Sequence, residues 1–205
     1  MANEIERAET PALPLAPEGY ERPFMDQNNN VLRLFFNRIV NSLNTLFSTD
    51  DGGKFLYAPR GSFYSTQDQT ATSTNTGYAV TLNTTNYSSN VTLSNNSRIN
   101  VTNAGVYKFD VTLQLEHNNS SETSVIIWEQ KNGTAISYSG HKFDVEGNND
   151  HVIHWAFTVV LAINDYIEVY WSTGDTQLNL HTEAASSPHP GLPSASIDVS
   201  YISNS

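Results

Sequence analysis

The feature that most constrains this chain is the segment from residue 103 to residue 115, NAGVYKFDVTLQL, which follows a turn with unbroken apolar–polar alternation. Successive side chains of a strand point to opposite faces, so this segment is a half-buried β-strand entered through a tight turn. One face carries Tyr107, Phe109, Val111, Leu113 and Leu115. A chain with such strands must cover one face of a sheet.

Similar patterns fill the sequence after Tyr57, with turn residues and no helical segment between them. The dipeptide Asn132-Gly133 is the strongest hairpin signal, because both of its residues tolerate the positive φ of a two-residue turn. Many closely spaced strands without intervening helices predict a mainly β fold, an antiparallel β-sandwich or jelly roll. The predicted strands are GSFYS, TGYAVTL, SSNVTL, SRINV, VYKFDVTLQL, SVIIWEQ, AISYSG, HVIHWAFTVVLAI, DYIEVYW, QLNLHT and SASIDVSYIS.

Composition excludes several classes of function. The formal net charge is -11, and residues 61–205 hold 4 basic and 13 acidic side chains, so the surface repels phosphate backbones and disfavours nucleic-acid binding. The chain has no cysteine, which excludes disulfides, thiolate metal sites and cysteine nucleophiles.

Targeting signals are also missing from the sequence. The opening MANEIERAET is acidic and lacks the apolar core of a signal peptide, and no apolar run approaches the ~18 residues of a membrane helix. We therefore expect synthesis in the cytoplasm without a signal peptide, and no membrane insertion. The N-x-[ST] sequons are then chance matches in a chain rich in Asn, Ser and Thr.

Two segments precede the β-rich part. Residues 1–27 carry four prolines and are predicted to form an extended arm that lies on a partner, with a disordered tail as the alternative. Residues 28–48 are the only convincing helix, and asparagines at its start can cap free backbone amides. A linker at 49–60 and a head at 61–205 complete the predicted organisation.

The predicted helix has apolar residues at alternating steps of four and three, which is the heptad spacing of a self-associating helix. Such a seam favours contact with neighbouring copies, while a helix packed on its own domain is the alternative. We expect this anchoring and oligomerisation seam to consist of Leu32, Phe36, Ile39, Leu43 and Leu46.

Residues 60–205 resemble the tumour-necrosis-factor-like and complement-globular-head jelly rolls. The resemblance begins with the turn and strand that carry Gly105, Tyr107 and Phe109, and continues with WEQKNG at 128–133. LAINDYIEVYW at 161–171 is similar to a further motif of that superfamily, with Asn164 where the family usually has Gly, and SASIDVSYIS fits its closing strand. The resemblance implies a compact jelly roll that assembles as a homotrimer.

The N-terminal stretch RPFMDQNNNVLRLFFNRIVNSLN is similar to the leaders of small structural proteins of tailed bacteriophages, particularly marine ones. In those proteins an extended arm and a short helix precede a β head. This second resemblance implies a virion protein, made in the host cytoplasm, whose residues 1–48 contact other virion proteins.

Signals for chemistry are sparse. His151 and His154 lie three residues apart and so point to opposite faces of one strand, which opposes a cupin-like metal enzyme. Asp144, Glu146 and Asp150 share a Gly-containing loop and are a weak calcium candidate. No motif of a phosphate, dinucleotide or nucleophile-elbow site is present, so we expect no enzymatic activity and no cofactor.

The outer face of the strand DYIEVYW is more informative. Tyr166, Glu168 and Tyr170 share the nominally wet face, and His154 lies on the outer face of another predicted strand. Tyrosine buries a large ring while its hydroxyl keeps a partner, so these residues are candidates for a trimer interface or for a glycan-stacking platform.

The sequence therefore predicts a non-enzymatic phage virion protein, which is a trimeric spike, fibre or decoration protein anchored to the capsid or tail by its N-terminal segment. A glycan- or receptor-binding module of the host-attachment apparatus is the alternative, and a cupin-like metal enzyme is a third. Glycan binding predicts aromatic side chains in a concave site near carboxylates and amides.

Overall fold

The computed structural model of the chain describes residues 13, 18–19, 21–47 and 58–204. The chain divides into two compact units, residues 1–57 and residues 58–205. Most of the predicted arm at 1–27, Ser48 and most of the predicted linker at 49–60 lie outside the described residues.

The first unit contains helix α1, Arg22–Phe47. Its start lies six residues before the predicted one, so residues 22–27 are helical and not part of an extended arm. Pro23 made this stretch look non-helical, but it occupies the first turn, where its missing amide hydrogen has no intrahelical acceptor. The Met25 amide donates to the Glu21 carbonyl at 3.1 Å, and Arg22 pairs with Asp26 one turn later at 3.8 Å.

No side chain of α1 is buried. Leu32, Ile39 and Leu46 of the predicted seam are half-buried, whereas Phe36 and Leu43 are exposed. Among the described residues, no helix is both long enough and apolar enough to cross a bilayer.

The second unit is an antiparallel β-sandwich, which confirms the predicted fold class. Its described residues form fourteen strands. These are β1 Arg60–Ser65, β2 Gln69–Thr70, β3 Tyr78–Ala79, β4 Thr84–Ser89, β5 Val91–Ser94, β6 Arg98–Val101, β7 Gly105–His117, β8 Thr123–Lys131, β9 Thr134–Ala135, β10 His141–Val145, β11 Asn149–Leu161, β12 Tyr166–Thr173, β13 Leu178–Leu180 and β14 Ala195–Ser203.

The strands form two seven-stranded sheets. The first sheet has the order β2-β13-β7-β14-β1-β4, with β11 on the other side of β7; the second has the order β10-β8-β12-β6-β5, with β3 on β12 and β9 on β8. All pairings are antiparallel. Strand β7 pairs with β11 along its whole length, from Gly105↔Leu161 to His117↔Asn149.

One apolar core lies between the sheets. The five alternating residues first noted in the sequence all point into it and are fully buried. The second sheet contributes Ile167, Val169 and Trp171 from β12, also buried. Burial of the predicted inward residues on both strands fixes their register, since a shift of one residue would expose every one of them.

The turn into β7 explains the Gly-x-Tyr pattern. A Cβ on Gly105 would lie 2.3 Å from Cε2 of Tyr201 and 2.7 Å from the Ser203 carbonyl oxygen, so only glycine lets β14 pass this closely. Tyr107 stacks edge-on against Tyr201 with centroids 5.5 Å apart, and its hydroxyl donates to the Asn103 carbonyl at 2.8 Å. Gly105 and Tyr107 therefore connect the turn before β7 with β14, the last strand.

The Asn132-Gly133 turn joins β8 to β9 as predicted, with φ of 52° and 78° at the two residues. Strand β9 has only two residues, however, and most of the predicted strand AISYSG forms a connection. Strand β10, HKFDV, was not predicted, since only Phe143 and Val145 turn inward. Of TGYAVTL, only Tyr78–Ala79 pairs as a strand, although Val80 and Leu82 are buried.

Candidate functional site

The structure separates the four residues predicted to share a site. Tyr166, Glu168 and Tyr170 lie on the outer face of β12 in the second sheet, whereas His154 lies on the outer face of β11 in the first sheet. His154 contacts Thr112, with Nδ1 and Oγ1 3.0 Å apart. The sequence placed these residues on outer faces but did not indicate that the strands belong to different sheets, so His154 is not part of the β12 cluster.

Glu168 is the centre of this outer face and is only 5% exposed. Its carboxylate accepts a hydrogen bond from the Ser97 hydroxyl at 2.6 Å and lies 3.5 Å from Nε of Arg98. The guanidinium carbon of Arg98 lies 4.6 Å from the centre of the Tyr166 ring, a cation–π contact. The buried charge is thus compensated within one chain.

Tyr170 is covered from the neighbouring strand. Its ring lies 5.7 Å from that of Trp128, the residue directly opposite on β8. The backbone of Gly77 approaches this indole so closely that a Cβ there would lie 2.9 Å from two of its ring carbons and 3.6 Å from Cδ1 of Tyr170. Burial raises the pKa of Tyr170, and the Glu168 carboxylate raises it further.

These contacts explain the aromatic residues on the solvent-facing side of β12, and the explanation requires no second molecule. The ring of Tyr166 packs against Arg98, which pairs with Glu168, and the ring of Tyr170 packs against Trp128. Neither Arg98 nor Trp128 was among the residues predicted for this outer face. The alternation in SVIIWEQK is enough to place Trp128 on the outer face of its strand. Its pairing with Tyr170, however, depends on the register of the two strands.

The histidines of β11 lie as predicted, on opposite faces. His151 is on the core side of the strand, and its Nε2 is buried without a hydrogen-bond partner among the described residues, while His154 is exposed. Within residues 58–204 and the described part of α1, no three His, Asp or Glu side chains form a group that could hold a metal ion.

The predicted calcium loop is not assembled as a site. Asp144 lies on β10 and pairs with Lys142, with Oδ1 3.2 Å from Nζ. Asp150 lies on β11, and the Glu146 carboxylate accepts from the Asn149 side chain at 3.5 Å. Asp144 and Glu146 therefore have separate neighbours, and the three carboxylates are not part of any described group that could hold a metal ion.

Two buried polar groups have structural partners. Glu129, 2% exposed, points between the sheets from β8 and accepts a hydrogen bond from the indole nitrogen of Trp155 on β11 at 2.9 Å. His117 is also buried, and it lies 3.2 Å from both the Glu146 carbonyl oxygen and the Asp175 carboxylate. Each group connects separate strands, which is a structural role.

Asp175 collects hydrogen bonds from three parts of the chain. It accepts from the Gln177 amide at 2.9 Å and from the Asn119 side chain at 2.6 Å, besides its contact with His117. The Gln177 hydrogen bond is the largest cause of the lowered pKa of Asp175, followed by opposing desolvation and by the lowering contacts with Asn119 and His117. The cluster holds together the connections that follow β7, β10 and β12.

A cavity of about 430 Å³ lies beside the connection between β13 and β14. It is lined by Tyr64 of β1, by Thr66, and by both arms of the 182–193 segment, which include Thr182, Glu183 and Leu192. In the predicted strand GSFYS, alternation places the Tyr64 side chain on the outer face. The position of the proline-rich segment opposite it could not be read from the sequence.

No protein-family model matches this chain, and no curated protein matches it. Among solved structures, it is similar to murine APRIL at pH 5.0, with 11% identity over 70% of this chain and 98% of that chain and a TM-score of 0.48. It is similar as well to the globular domain of the zebrafish complement 1qA protein, with 13% identity over 72% of this chain and 98% of that chain and a TM-score of 0.46. The antiparallel sandwich is established by the strand pairing of the chain itself.

Proposed function

We propose that this protein is a non-enzymatic structural protein of a tailed-bacteriophage virion. In this proposal the β-sandwich is a head displayed in a homotrimeric spike, fibre or decoration protein, and residues 1–48 attach it to the capsid or tail. The observation that carries the proposal is an exposed apolar stripe on α1, which contrasts with a head that has its own core.

The exposed stripe consists of Phe36, Val40, Leu43 and Phe47, whose side chains are 58%, 51%, 44% and 63% exposed. Steps of four, three and four residues place them along one side of a helix with 3.6 residues per turn. Phe36 and Leu43 also belong to the predicted seam. Four large apolar side chains in one row favour a packing partner, and heptad spacing favours a second copy of the same helix.

Burial of the stripe would contribute substantially to association. A fully buried Leu or Phe side chain contributes about 1.5–3 kcal/mol, before the cost of ordering and associating the chains is subtracted. The polar face of α1 suits such an assembly, since Asn37, Arg38 and Asn44 are exposed beside the stripe.

The head shows features of a display domain. Several of its acidic groups are paired with basic side chains, such as Lys131 with Asp165 at 2.8 Å and Lys108 with Asp110 at 2.8 Å. The inner polar groups Glu129 and His117 connect strands. An acidic exterior rich in Asn, Ser and Thr supports solubility during long exposure to solvent. The phage assignment is supported by the leader-like sequence of 22–44.

The proposal is tested by a double change, Phe36→Asp with Leu43→Asp, in the full chain. We expect analytical ultracentrifugation to give a trimer for the wild type and a monomer for this variant, with β circular dichroism retained. The matched control is Asn37→Asp with Asn44→Asp, which adds the same two charges at the same spacing about 100° around the helix.

Assembly into particles is the second readout. Immunogold labelling should find the wild-type protein and the control on phage particles and should not find the stripe variant. A stripe variant that remains trimeric and enters particles would show that α1 is neither the association surface nor the anchor. Absence of the wild-type protein from every particle would overturn the virion assignment.

A receptor- or glycan-binding head is the second candidate function. The specific observation that favours it is the concave site at Tyr64, because its lining combines the Tyr64 ring with the Glu183 carboxylate, and the Asn83 side-chain amide donates to Thr66 of the lining.

A further inference from the structure

The cavity beside Tyr64 has a defined frame. The Glu183 amide donates to the Leu192 carbonyl at 3.0 Å, and the Leu192 amide donates back to the Glu183 carbonyl at 2.9 Å. A second pair of hydrogen bonds joins Ser186 and His189 nearer the tip of this hairpin-like segment. The two arms that form one wall of the cavity are therefore held together by backbone hydrogen bonds.

The frame is also fixed to the rest of the head. The Thr182 amide donates to the Asp68 carboxylate at 2.8 Å, and the Thr182 hydroxyl donates to the Leu192 carbonyl at 2.7 Å. On the opposite side, the Ser194 amide donates to the Ser65 carbonyl at 3.0 Å. A preformed cavity binds a ligand without first being ordered, which lowers the cost of binding.

Polar groups of the lining remain available for a ligand. The hydroxyl of Tyr64 and the carboxylate of Glu183 form no hydrogen bond or ion pair with any described residue. The Thr66 hydroxyl accepts from the Asn83 side chain at 2.9 Å, which leaves its own hydrogen free to donate. The cavity therefore presents two donors and a strong acceptor.

The remaining lining is apolar and small. The apolar part of the lining consists of the Tyr64 ring with Ala184, Ala185, Leu192 and Pro193. A ligand that complements this lining carries both an apolar face and several hydroxyl groups. A volume of about 430 Å³ lies within the range of small-molecule pockets, about 300–1,000 Å³.

The charged residues in and around the cavity restrict the charge of the ligand that it can bind. No Lys, Arg or His side chain lines the cavity, whereas Glu183 contributes a carboxylate. Residues 61–205 carry 13 acidic and 4 basic side chains, so the surrounding head also repels anions. The ligand is thus uncharged or cationic.

We propose that this cavity binds a short neutral carbohydrate, with the Tyr64 ring stacked on a sugar face and the Glu183 carboxylate accepting hydrogen bonds from sugar hydroxyls. The site is distinct from the outer face of β12, where Arg98 and Trp128 already cover the tyrosines. It would give a displayed head a means of recognising a surface glycan. It lies within one head, so binding does not depend on the trimer.

The test uses the full chain on an array that carries neutral hexose and N-acetylhexosamine glycans beside their sialylated counterparts and amine-bearing sugars. We expect retention on neutral glycans, and weaker retention on the sialylated forms. Tyr64→Ala should weaken binding at least about tenfold, as truncation of an aromatic anchor does, while Tyr64→Phe should keep the stacking surface. Glu183→Gln should weaken binding less than Tyr64→Ala.

The matched control is Tyr138→Ala, because Tyr138 is another tyrosine, is fully exposed and lies outside the cavity. Its binding should equal that of the wild type. Retention of no neutral glycan, preference for sialylated or amine-bearing sugars, or equal loss in the Tyr64 and Tyr138 variants would each overturn the proposal. Because Glu183 is exposed, Glu183→Gln tests the site even if the Tyr64 variants unfold.

Discussion

A single glycine decides how closely the start of β7 and the end of β14 can approach each other. Gly105 has no space for a side chain, because Tyr201 and the Ser203 carbonyl occupy the position that a Cβ would take. Gly140, in the connection before β10, has nothing within 4 Å of the same position. A side chain would therefore clash at Gly105, whereas it would have free space at Gly140.

We predict that Gly105→Ala destabilises the head by about 1–3 kcal/mol, the usual cost of overpacking, because Tyr201 or β14 must shift. Gly140→Ala should be neutral or slightly stabilising, since it restricts only the unfolded chain. Chemical denaturation of both variants measures the difference. Equal stability of the two would show that the start of β7 accommodates the methyl group.

Asp175 gives the head a pH-dependent contribution to stability. The pKa of this carboxyl is lower in the folded protein than its ordinary value, so the ionised form is the one that folding favours. The contribution is therefore fully present above the ordinary pKa, about 3.9, and is lost as pH falls through the lower folded value.

We predict that Asp175→Asn lowers the free energy of unfolding by about 1–3 kcal/mol at neutral pH, because the Gln177, Asn119 and His117 contacts lose their charged acceptor. The difference from the wild type should shrink below pH 4. Denaturation curves between pH 3 and pH 7 measure it. Asp144→Asn, at an exposed carboxylate, is the control and should change little over that range.

At the scale of elements, prediction from the sequence succeeded where one face of a strand is buried. Strands β7, β8, β11, β12 and β14 have clear alternation or continuous apolar runs, and each was predicted within a few residues. Strand β10 was missed because it lies at the edge of its sheet and turns only two side chains inward. The start of α1 was missed because prolines near a helix start resemble an extended arm.

Prediction of the site was limited for a different reason. Residue parity correctly placed Tyr166, Glu168 and Tyr170 on one outer face of β12. Parity carries no information on which sheet a strand joins, so His154 was grouped with them. The partners Ser97 and Arg98 come from β6 and the turn before it, and only strand order brings them to Glu168.

At the scale of the whole molecule, apolar burial divides the chain unequally. Every buried hydrophobic side chain among the described residues belongs to the head, and none belongs to α1. A β-sandwich of roughly 150 residues buries enough surface to fold without disulfides or metals. The described head therefore has its own apolar core, while α1 exposes an apolar stripe.

We predict that residues 58–205 expressed alone fold with β circular dichroism and unfold cooperatively, with a Tm close to that of the β transition in the full chain. Differential scanning calorimetry measures this. The reason is that no described side chain of residues 1–57 belongs to the buried core. An unfolded or aggregated fragment would mean that the first unit supports the head.

The oligomeric state of the same fragment separates two sources of the proposed trimer. The fragment lacks Phe36, Val40, Leu43 and Phe47, so its monomer–trimer equilibrium should shift toward the monomer if the stripe supplies the association energy. Sedimentation over a range of concentrations measures that shift against the full chain. A fragment that remains as trimeric as the full chain would place the association surface on the head, and the stripe would then be left for attachment to a different virion protein.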